Sequence, residues 1–384
     1  LHRDSDAAFA TCALLFATSA AITLLVARAI PFNGLELVWN PRQLLWLAAL
    51  YVTLSVPFFF AAMCFGLAFA RHGSRIPALY GADLIGAAVG ALAVLAASAQ
   101  PVHRGLIFAA VCGPIAAWLV TRRVRLRASA AIVAIALAML WPMQALSPRP
   151  NQFKGLSKAL LLPGARVIAE GADAYGRFDL VESPRVPLRF APGLSLSHVG
   201  ELPPQLAIYT DGDAVSPIVR DDGHVDWQWL DEMTSALPYR MRAPDRVLVL
   251  GAGGGMEVLQ ALTLGARHVD AVEPSARRLQ WVRDAFGAYS GHLMQDRRVV
   301  SFVAEPRAFV RASRDRYDLI VLAGGDSFAS GGAGVQSASE QYGLTVEALR
   351  DYLRTLTPRG MLVATQWSKQ PPRGGLQLLA AGVQ

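Results

Sequence analysis

Five long apolar segments occupy most of the first 146 residues, and they restrict the fold more than any other feature of the sequence. They are residues 7–27, 44–70, 76–97, 106–120 and 128–146. A helix needs about 20 apolar residues to cross a bilayer, and most of these segments reach that length, although 106–120 is short. The whole chain is 53% hydrophobic and only 17% charged, which is too apolar for an ordinary soluble protein. The sequence therefore predicts a transmembrane domain of about five helices over residues 1–150.

The third apolar segment combines small residues with one acid. Ala82, Gly86 and Gly90 recur at four-residue spacing, so they share a helix face that a second helix can approach closely. Asp83 lies one or two turns inside the membrane edge, where an ionisable side chain is costly without a partner. It belongs either to a proton or substrate path, or to an ion pair with a nearby arginine such as Arg71. The small face predicts self-association or contact with other subunits of a membrane complex.

Arginine counts predict an orientation, because the cytoplasmic loops of membrane proteins are enriched in Lys and Arg. With five spans, one side holds Arg3, Arg71, Arg75, Arg122, Arg123, Arg125 and Arg127. The other side holds Arg28, Arg42 and Arg104. The first side is therefore predicted to be cytoplasmic, and the C-terminal domain would lie outside the cytoplasm. This conflicts with a cytoplasmic nucleoside donor unless one span is miscounted.

A glycine-rich turn between two buried strands is the strongest functional motif. Its parts are a strand over 247–250, Gly251, Gly253, Gly255, a helix from Met256, a strand over 269–272 and Glu273. This order is the first half of a doubly wound nucleotide-binding unit, in which the glycines let a ligand approach the backbone and the acid binds two ribose hydroxyls. The Gly-x-Gly-x-Gly spacing favours a nucleoside of the S-adenosylmethionine type over NAD. A tight turn without a ligand is the alternative.

The C-terminal region is predicted to be a Rossmann-like α/β domain over residues 241–384. We expect this domain to be truncated, because the sequence stops at Gln384, before the last strands that such a sheet normally has. Further strands are predicted at 299–303, 317–322 and 361–366, with a helix over 346–356. Because ligands bind outside the carboxyl ends of such strands, Glu305 and Asp326 are expected to reach the crevice of the glycine turn. Residues 151–240 are predicted to be a linker and a small β-rich subdomain with an amphipathic helix over 227–237.

These residues resemble the spermidine synthase (polyamine aminopropyltransferase) family, and in particular its bacterial members with an N-terminal membrane region. The resemblance runs from about residue 208 to residue 367, and residues 80–86 look like the membrane part of that subgroup. It implies a β-subdomain before a methyltransferase-type Rossmann fold, a bacterial inner-membrane location, and decarboxylated S-adenosylmethionine as donor. Carried over by position, Gly251, Gly253, Gly255, Glu273 and Glu305 would bind the donor. Glu232, Asp326 and Tyr342 would lie on the amine side.

The sequence departs from the family pattern mainly on the amine side. The family loop Asp-Ser-Ser-Asp falls on 323–326, so Ala323 replaces the proposed base, and general-base contributions are on the order of 10²–10⁴ in rate. The family motif Tyr-(His/Gln)-Glu falls on 230–232 and keeps only Glu232, which with Asp326 could replace the base.

Three hypotheses remain open: an aminopropyltransferase, a methyltransferase using S-adenosylmethionine, or a degenerate domain that is a structural or assembly subunit of a membrane complex. Besides the lipid bilayer, such a complex or a second copy is the expected partner. No metal site and no nucleic-acid partner are expected, because neither cysteine spacing nor a basic stripe with interleaved aromatics is present.

Overall fold

The computed structural model describes residues 2–97, 100, 102–143, 150, 152, 154–323, 342–365 and 373–383. The chain divides into two units, Leu1–Asn151 and Gln152–Gln384.

Long helices make up the described part of the first unit. They are α1 (His2–Ala29), α2 (Arg42–Arg71), α3 (Ile76–Ala97), α4 (Val102–Val120) and α5 (Val124–Leu140). Within the described residues, four helical stretches are long and apolar enough to cross a membrane: Ser5–Ala29, Arg42–Arg71, Gly73–Val94 and His103–Val120. The five predicted helices are confirmed as helices. Two helices differ in length from the predicted segments. Helix α4 has 19 residues and is longer than the segment 106–120, and α5 has 17 residues and is shorter than the segment 128–146.

Close packing joins α1, α4 and α5 within this unit. Ala17 of α1, Ile107 of α4 and Leu137 of α5 belong to one buried cluster. Gly113 of α4 lies directly against Ala13 of α1, where a Cβ atom would collide with the Ala13 carbonyl oxygen. Small residues therefore set the distance between these helices, as is common in membrane helix pairs.

Helix α3 is much more exposed than its neighbours. None of its apolar window is buried, and no atom lies within 4 Å of a Cβ added at Gly86 or Gly90. Arg71 does not pair with Asp83 as suggested; it forms an ion pair with Asp6. Among the described residues, no hydrogen bond or ion pair reaches Asp83. Among the described residues, the packing of the unit therefore leaves open space beside Gly86 and Gly90 on the small-residue face.

An antiparallel sheet opens the second unit after the short helix α6 (Gly155–Ala159). Its strands are β1 (Arg166–Asp173), β2 (Gly176–Glu182), β3 (Gln205–Thr210) and β4 (Ala214–Val219), paired in that order. Asp211 and Gly212 form the β3–β4 turn with positive φ angles of 51° and 74°, as an Asp-Gly pair predicts. These four strands lie within residues 151–240, the region in which the sequence predicts a β-rich subdomain.

A parallel sheet follows, with strand order β7-β6-β5-β8-β9. The strands are β5 (Arg246–Leu250), β6 (His268–Glu273), β7 (Val299–Val303), β8 (Tyr317–Leu322) and β9 (Leu356–Ala364). The helices are α7 (Leu237–Met241), α8 (Met256–Thr263), α9 (Ala276–Gln280), α10 (Pro306–Ala312), α11 (Val346–Arg354) and α12 (Arg373–Val383). Val247 and Val249 pack in one core and Leu248 and Leu250 in another, so β5 is buried on both faces. This doubly wound arrangement confirms the predicted Rossmann-like fold.

The prediction of a helix over residues 227–237 is wrong. That stretch forms two short 3₁₀ turns, Gln228–Leu230 and Thr234–Ala236, before α7 begins. Its backbone pairs with another segment instead of continuing a helix, because Thr234 N–H donates to the Gly193 carbonyl and Ser195 N–H donates to the Glu232 carbonyl. The last strand also begins earlier than predicted, at Leu356 rather than at residue 361.

Candidate functional site

Backbone hydrogen bonds within the glycine turn and from the turn to β6 hold its conformation. Gly251, Gly253 and Gly255 have positive φ angles of 84°, 51° and 94°, a region that residues with a Cβ rarely adopt. The N–H groups of Gly251 and Ala252 donate to the Val272 carbonyl at 2.8 and 3.0 Å, and Gly255 N–H donates to the Ala252 carbonyl at 2.8 Å. The turn therefore requires these three glycines whether or not a ligand binds.

Strand β4 of the antiparallel sheet lies directly against this turn. Gly254 N–H donates to Ser216 Oγ at 2.7 Å. A Cβ added at Gly254 would lie 2.5 Å from the carbonyl carbon of Pro217 and 3.0 Å from the carbonyl oxygen of Ser216. A Cβ added at Gly253 would collide with the hydroxyl of Ser216. The group that approaches the glycine backbone most closely is thus a strand of the same chain.

Glu273 ends β6, as predicted, and its carboxylate is buried and hydrogen-bonded inside the protein. It is 0% exposed. Oε2 accepts from Gly253 N–H at 2.9 Å, and Oε1 accepts from Ser275 N–H at 2.8 Å. Arg278 donates two further bonds to Oε1, from Nε at 3.0 Å and Nη2 at 2.6 Å, while its guanidinium lies over the Phe178 ring at 5.3 Å. Oε1 accepts three of these four bonds and Oε2 accepts one, and because the residue is fully buried neither oxygen is exposed to a ribose hydroxyl in this conformation.

Glu305 follows β7, as predicted, but it caps the next helix. Its side chain accepts from Ala308 N–H at 2.7 Å, which makes it the N-cap of α10. The side-chain acceptor satisfies one of the free N–H groups in the first helical turn. At the end of β8, Ala323 N–H donates to the Leu250 carbonyl at 2.9 Å, and its methyl side chain carries no acid–base chemistry.

Glu232, expected on the amine side, contacts a histidine of the same chain. His198 Nδ1 lies 2.9 Å from Glu232 Oε2, and the two side chains are 14% and 38% exposed. The adjacent Asp231 pairs with Arg240 at 2.8 Å, and this hydrogen bond lowers the pKa of Asp231. The acids of this segment are therefore engaged by cationic or titratable side chains of the protein itself.

The remaining predicted site residues are only partly described. Asp326 lies outside the described residues. Tyr342 begins a short 3₁₀ turn, Tyr342–Leu344, and its side chain lies outside the description. The structure therefore places Glu273 beside the turn that contains Gly251, Gly253 and Gly255, at the carboxyl ends of the strands, and Gly253 N–H donates to Glu273. Glu305 lies at the end of the neighbouring strand.

A small crevice lies beside the glycine turn. It is lined by Val219, Asp221, Trp227, Gly254, Gly255, Leu259, Ser290 and Leu293. The space between these residues is about 210 Å³ when the part open to solvent is included, and it encloses no cavity large enough for a water molecule. In this conformation the crevice is therefore not a formed ligand cavity.

Three residues at the site were not identified from the sequence. They are Arg278, Ser216 and His198, and none of them belongs to a sequence motif. The only available signal for Arg278 was its position five residues after Glu273, within the first turns of the next helix. The contacts of Ser216 and His198 join distant parts of the chain, so no local pattern could reveal them.

Comparisons with known proteins found similarity only among solved structures. No family model matches the chain, and no curated protein matches it. A spermidine synthase in complex with the transition state analogue AdoDATO is 16% identical, with 56% of this chain and 61% of that chain covered and a TM-score of 0.36. The spermidine synthase from Thermotoga maritima is 17% identical, with 56% and 62% covered and a TM-score of 0.36.

A methyltransferase gives a weaker match. The ribosomal protein L11 methylase from Lactobacillus delbrueckii subsp. bulgaricus is 16% identical, with 43% of this chain and 73% of that chain covered and a TM-score of 0.28. The chain spans about three fifths of the length of the two spermidine synthases. These similarities concern the fold alone, because function resides in the site and not in the fold.

Proposed function

We propose that the second unit is a catalytically degenerate domain with a spermidine-synthase-like fold, acting as a structural or assembly subunit of a membrane protein complex. One observation carries the proposal: the carboxylate of Glu273, which would bind the ribose, is fully buried and accepts four hydrogen bonds within the chain. Arg278 neutralises its charge. A nucleoside would have to displace that guanidinium before it could bind.

Two further features support the loss of catalysis. Ala323 stands where the resembling family has its proposed base, and general-base contributions are on the order of 10²–10⁴ in rate. Glu232, the acid retained on the amine side, is in contact with His198. Both halves of the expected site are therefore altered by residues of this chain.

The first unit is proposed to anchor the protein in a bilayer as a multi-span domain. Four helical stretches have the length and apolarity to span a membrane. Helix α3 supports contact with other subunits or a second copy, because the face of Ala82, Gly86 and Gly90 has open space beside its two glycines among the described residues. An inner bacterial membrane is the proposed location, from the resemblance alone.

A transferase that uses an S-adenosylmethionine-type donor is the second candidate. The positive φ angles of the glycine turn and the acid at the end of β6 favour it. Glu273 and Glu305 would then hold the nucleoside, and Asp326 and Glu232 a cationic amine. The amine nitrogen would attack the methylene carbon next to the sulfonium and release methylthioadenosine. A methyltransferase would use the same nucleoside residues without the amine acids.

Titration calorimetry on the detergent-purified full chain separates these candidates. The ligands are S-adenosylmethionine, decarboxylated S-adenosylmethionine and methylthioadenosine. The proposal expects no heat of binding with any of them up to millimolar concentration. Micromolar binding that disappears in Glu273→Ala and weakens in Glu305→Gln would overturn the proposal in favour of a transferase. Thermal unfolding of both variants confirms that they are folded.

A further inference from the structure

The five strands of the parallel sheet begin at one edge, which lies opposite the glycine turn. Because the strands are parallel, the segments that lead into them meet at this edge. We name it the amino edge. It comprises residues 242–246, 267–268, 296–298, 311–316 and 354–359, which precede or begin β5, β6, β7, β8 and β9 respectively.

Arginines lead into every one of these strands. The amino edge contains Arg242, Arg246, Arg267, Arg297, Arg298, Arg311, Arg314, Arg316, Arg354 and Arg359. The acids in the same segments or just inside the strands are Asp245, Asp270, Asp296, Asp315 and Asp318. Asp351, which precedes β9 and pairs with Arg354, is a sixth acid. Ten arginines therefore face six aspartates, which leaves an excess of four positive charges on one edge of the sheet.

Ion pairs account for only part of this arginine set. Four of the arginines pair with aspartates: Arg246 with Asp270 at 3.1 Å and Asp315 at 2.9 Å, Arg267 with Asp245 at 3.3 Å, Arg298 with Asp296 at 2.8 Å, and Arg354 with Asp351 at 3.8 Å. The other six are all exposed: Arg242, Arg297, Arg311, Arg314, Arg316 and Arg359. None of these six has a carboxylate within 4.0 Å among the residues that the structure describes.

Helix ends do not explain the whole set. Basic residues in the last turn of a helix stabilise its negative end, and this accounts for Arg311 of α10 and Arg354 of α11. Arg297 and Arg314 lie in connecting segments, and Arg359 lies inside β9. Unpaired cations at these positions contribute little to folding, so their concentration on one edge indicates a negatively charged partner.

We propose that the amino edge docks on the surface of an anionic lipid bilayer. Exposed guanidinium groups bind lipid phosphates, and each arginine close to an anionic membrane strengthens docking about fivefold. A bilayer is favoured over nucleic acid by two observations. The same chain carries four helical stretches able to span a membrane, and the amino-edge segments contain no Phe, Tyr or Trp on which bases could stack. The inference rests on the membrane insertion proposed above.

A cysteine accessibility assay tests docking in the full-length chain. The reporter is Ser313→Cys in a background where Cys12, Cys64 and Cys112 are alanine, and the control reporter is Ser197→Cys, in an exposed loop of the other sheet. Maleimide labelling rates are compared in nanodiscs with 30% anionic phospholipid and in purely zwitterionic nanodiscs. The anionic lipid is expected to slow labelling of the first reporter at least fivefold and to leave the second unchanged.

Charge variants make the assay specific. Arg311→Gln, Arg314→Gln and Arg316→Gln together should weaken docking by about 100-fold, at about fivefold for each, and restore fast labelling. The matched control, Arg166→Gln, Arg185→Gln and Arg220→Gln, removes the same charge away from the amino edge and should leave labelling slow. Salt at 1 M should also restore labelling, because it reduces the screening length to about 3 Å.

Equal labelling rates in the two lipid compositions would overturn the proposal. Protection of Ser313→Cys by duplex DNA in zwitterionic nanodiscs, without an effect of anionic lipid, would assign the surface to nucleic acid and overturn it as well. If alkaline carbonate releases the chain from vesicles, the membrane insertion fails together with the docking. If the chain resists extraction but is labelled at equal rates in both lipid compositions, the docking is refuted and the proposed membrane insertion stands.

Discussion

Replacing Gly254 by alanine tests whether the glycine turn serves the contact with β4. The added Cβ would lie 2.5 Å from the carbonyl carbon of Pro217 and 3.0 Å from the Ser216 carbonyl oxygen. Both obstacles are backbone atoms, so a rotamer change cannot relieve the collision. The turn and β4 would have to separate, which also removes the hydrogen bond from Gly254 N–H to Ser216 Oγ.

The expected cost follows from these two effects. Overpacking costs about 1–3 kcal/mol, and the lost hydrogen bond costs about 1 kcal/mol. The lower entropy of an unfolded chain with alanine returns about 0.4–1 kcal/mol. Gly254→Ala should therefore lower the free energy of unfolding by about 1–3.6 kcal/mol. For a unit of this size, 1 kcal/mol corresponds to about 2–4 °C in Tm, so the Tm should fall by about 2–14 °C.

Differential scanning calorimetry of the detergent-purified chain measures this change. Gly287→Ala is the matched control, because its Cβ would meet its nearest neighbour, His292 Nδ1, at an ordinary 3.6 Å. That control should stay within about 0.5 kcal/mol of the wild type. Ser216→Ala removes the hydrogen bond without adding a collision and should cost about 1 kcal/mol. A Gly254→Ala protein as stable as the control would refute the contact as the reason for glycine at this position.

Three further predictions concern buried charges of the second unit. Arg278→Leu should lower the free energy of unfolding by about 3–5 kcal/mol because it leaves Glu273 buried without its counterion; adding Glu273→Gln should recover most of this loss in chemical denaturation, and additive effects would contradict it. Asp270→Asn should cost about 3 kcal/mol, since its carboxylate accepts from Arg246, His268 and Tyr317 while 2% exposed; a change below 1 kcal/mol in the same assay would be inconsistent. Burial raises the pKa of Glu257, so this side chain binds a proton more tightly in the folded protein than in the unfolded chain. Stability should therefore fall as pH rises above about 4.5 through the raised pKa. Glu257→Gln should flatten this part of a plot of Tm against pH, and an unchanged slope would refute the assignment.

Local patterns predicted the parallel sheet accurately. Continuous apolar runs such as 317–322 are typical of strands buried on both faces, and β8 occupies those residues. The order of strand, glycine turn and helix gave β5 and β6 within one residue of their bounds and gave the first residue of α8. These elements were predictable because neighbouring residues determine burial and backbone conformation together.

Long-range pairing explains where the predictions failed. The pattern of Trp229, Leu230 and Met233 is compatible with a helix, yet this segment pairs with residues 193–195 through backbone hydrogen bonds. The same applies to His198 beside Glu232, which are 34 residues apart. A partner so distant in sequence leaves no periodic signal in either segment, so only the three-dimensional structure identifies it.

The glycine turn shows why a motif does not determine the function of this site. Glycine at 253 and 254 indicates that something approaches the backbone closely, and the acid at 273 indicates that a donor group must satisfy it. A nucleoside meets both requirements, but so do Ser216, which contacts the turn, and Arg278, which neutralises Glu273. The motif is therefore equally compatible with a ligand site and with a rigid junction between β4 and the parallel sheet. The environment of Glu273 distinguishes a ligand site from a rigid junction. A ligand site would keep the Glu273 carboxylate accessible, whereas in this protein the carboxylate is bonded to Arg278 and to two backbone N–H groups.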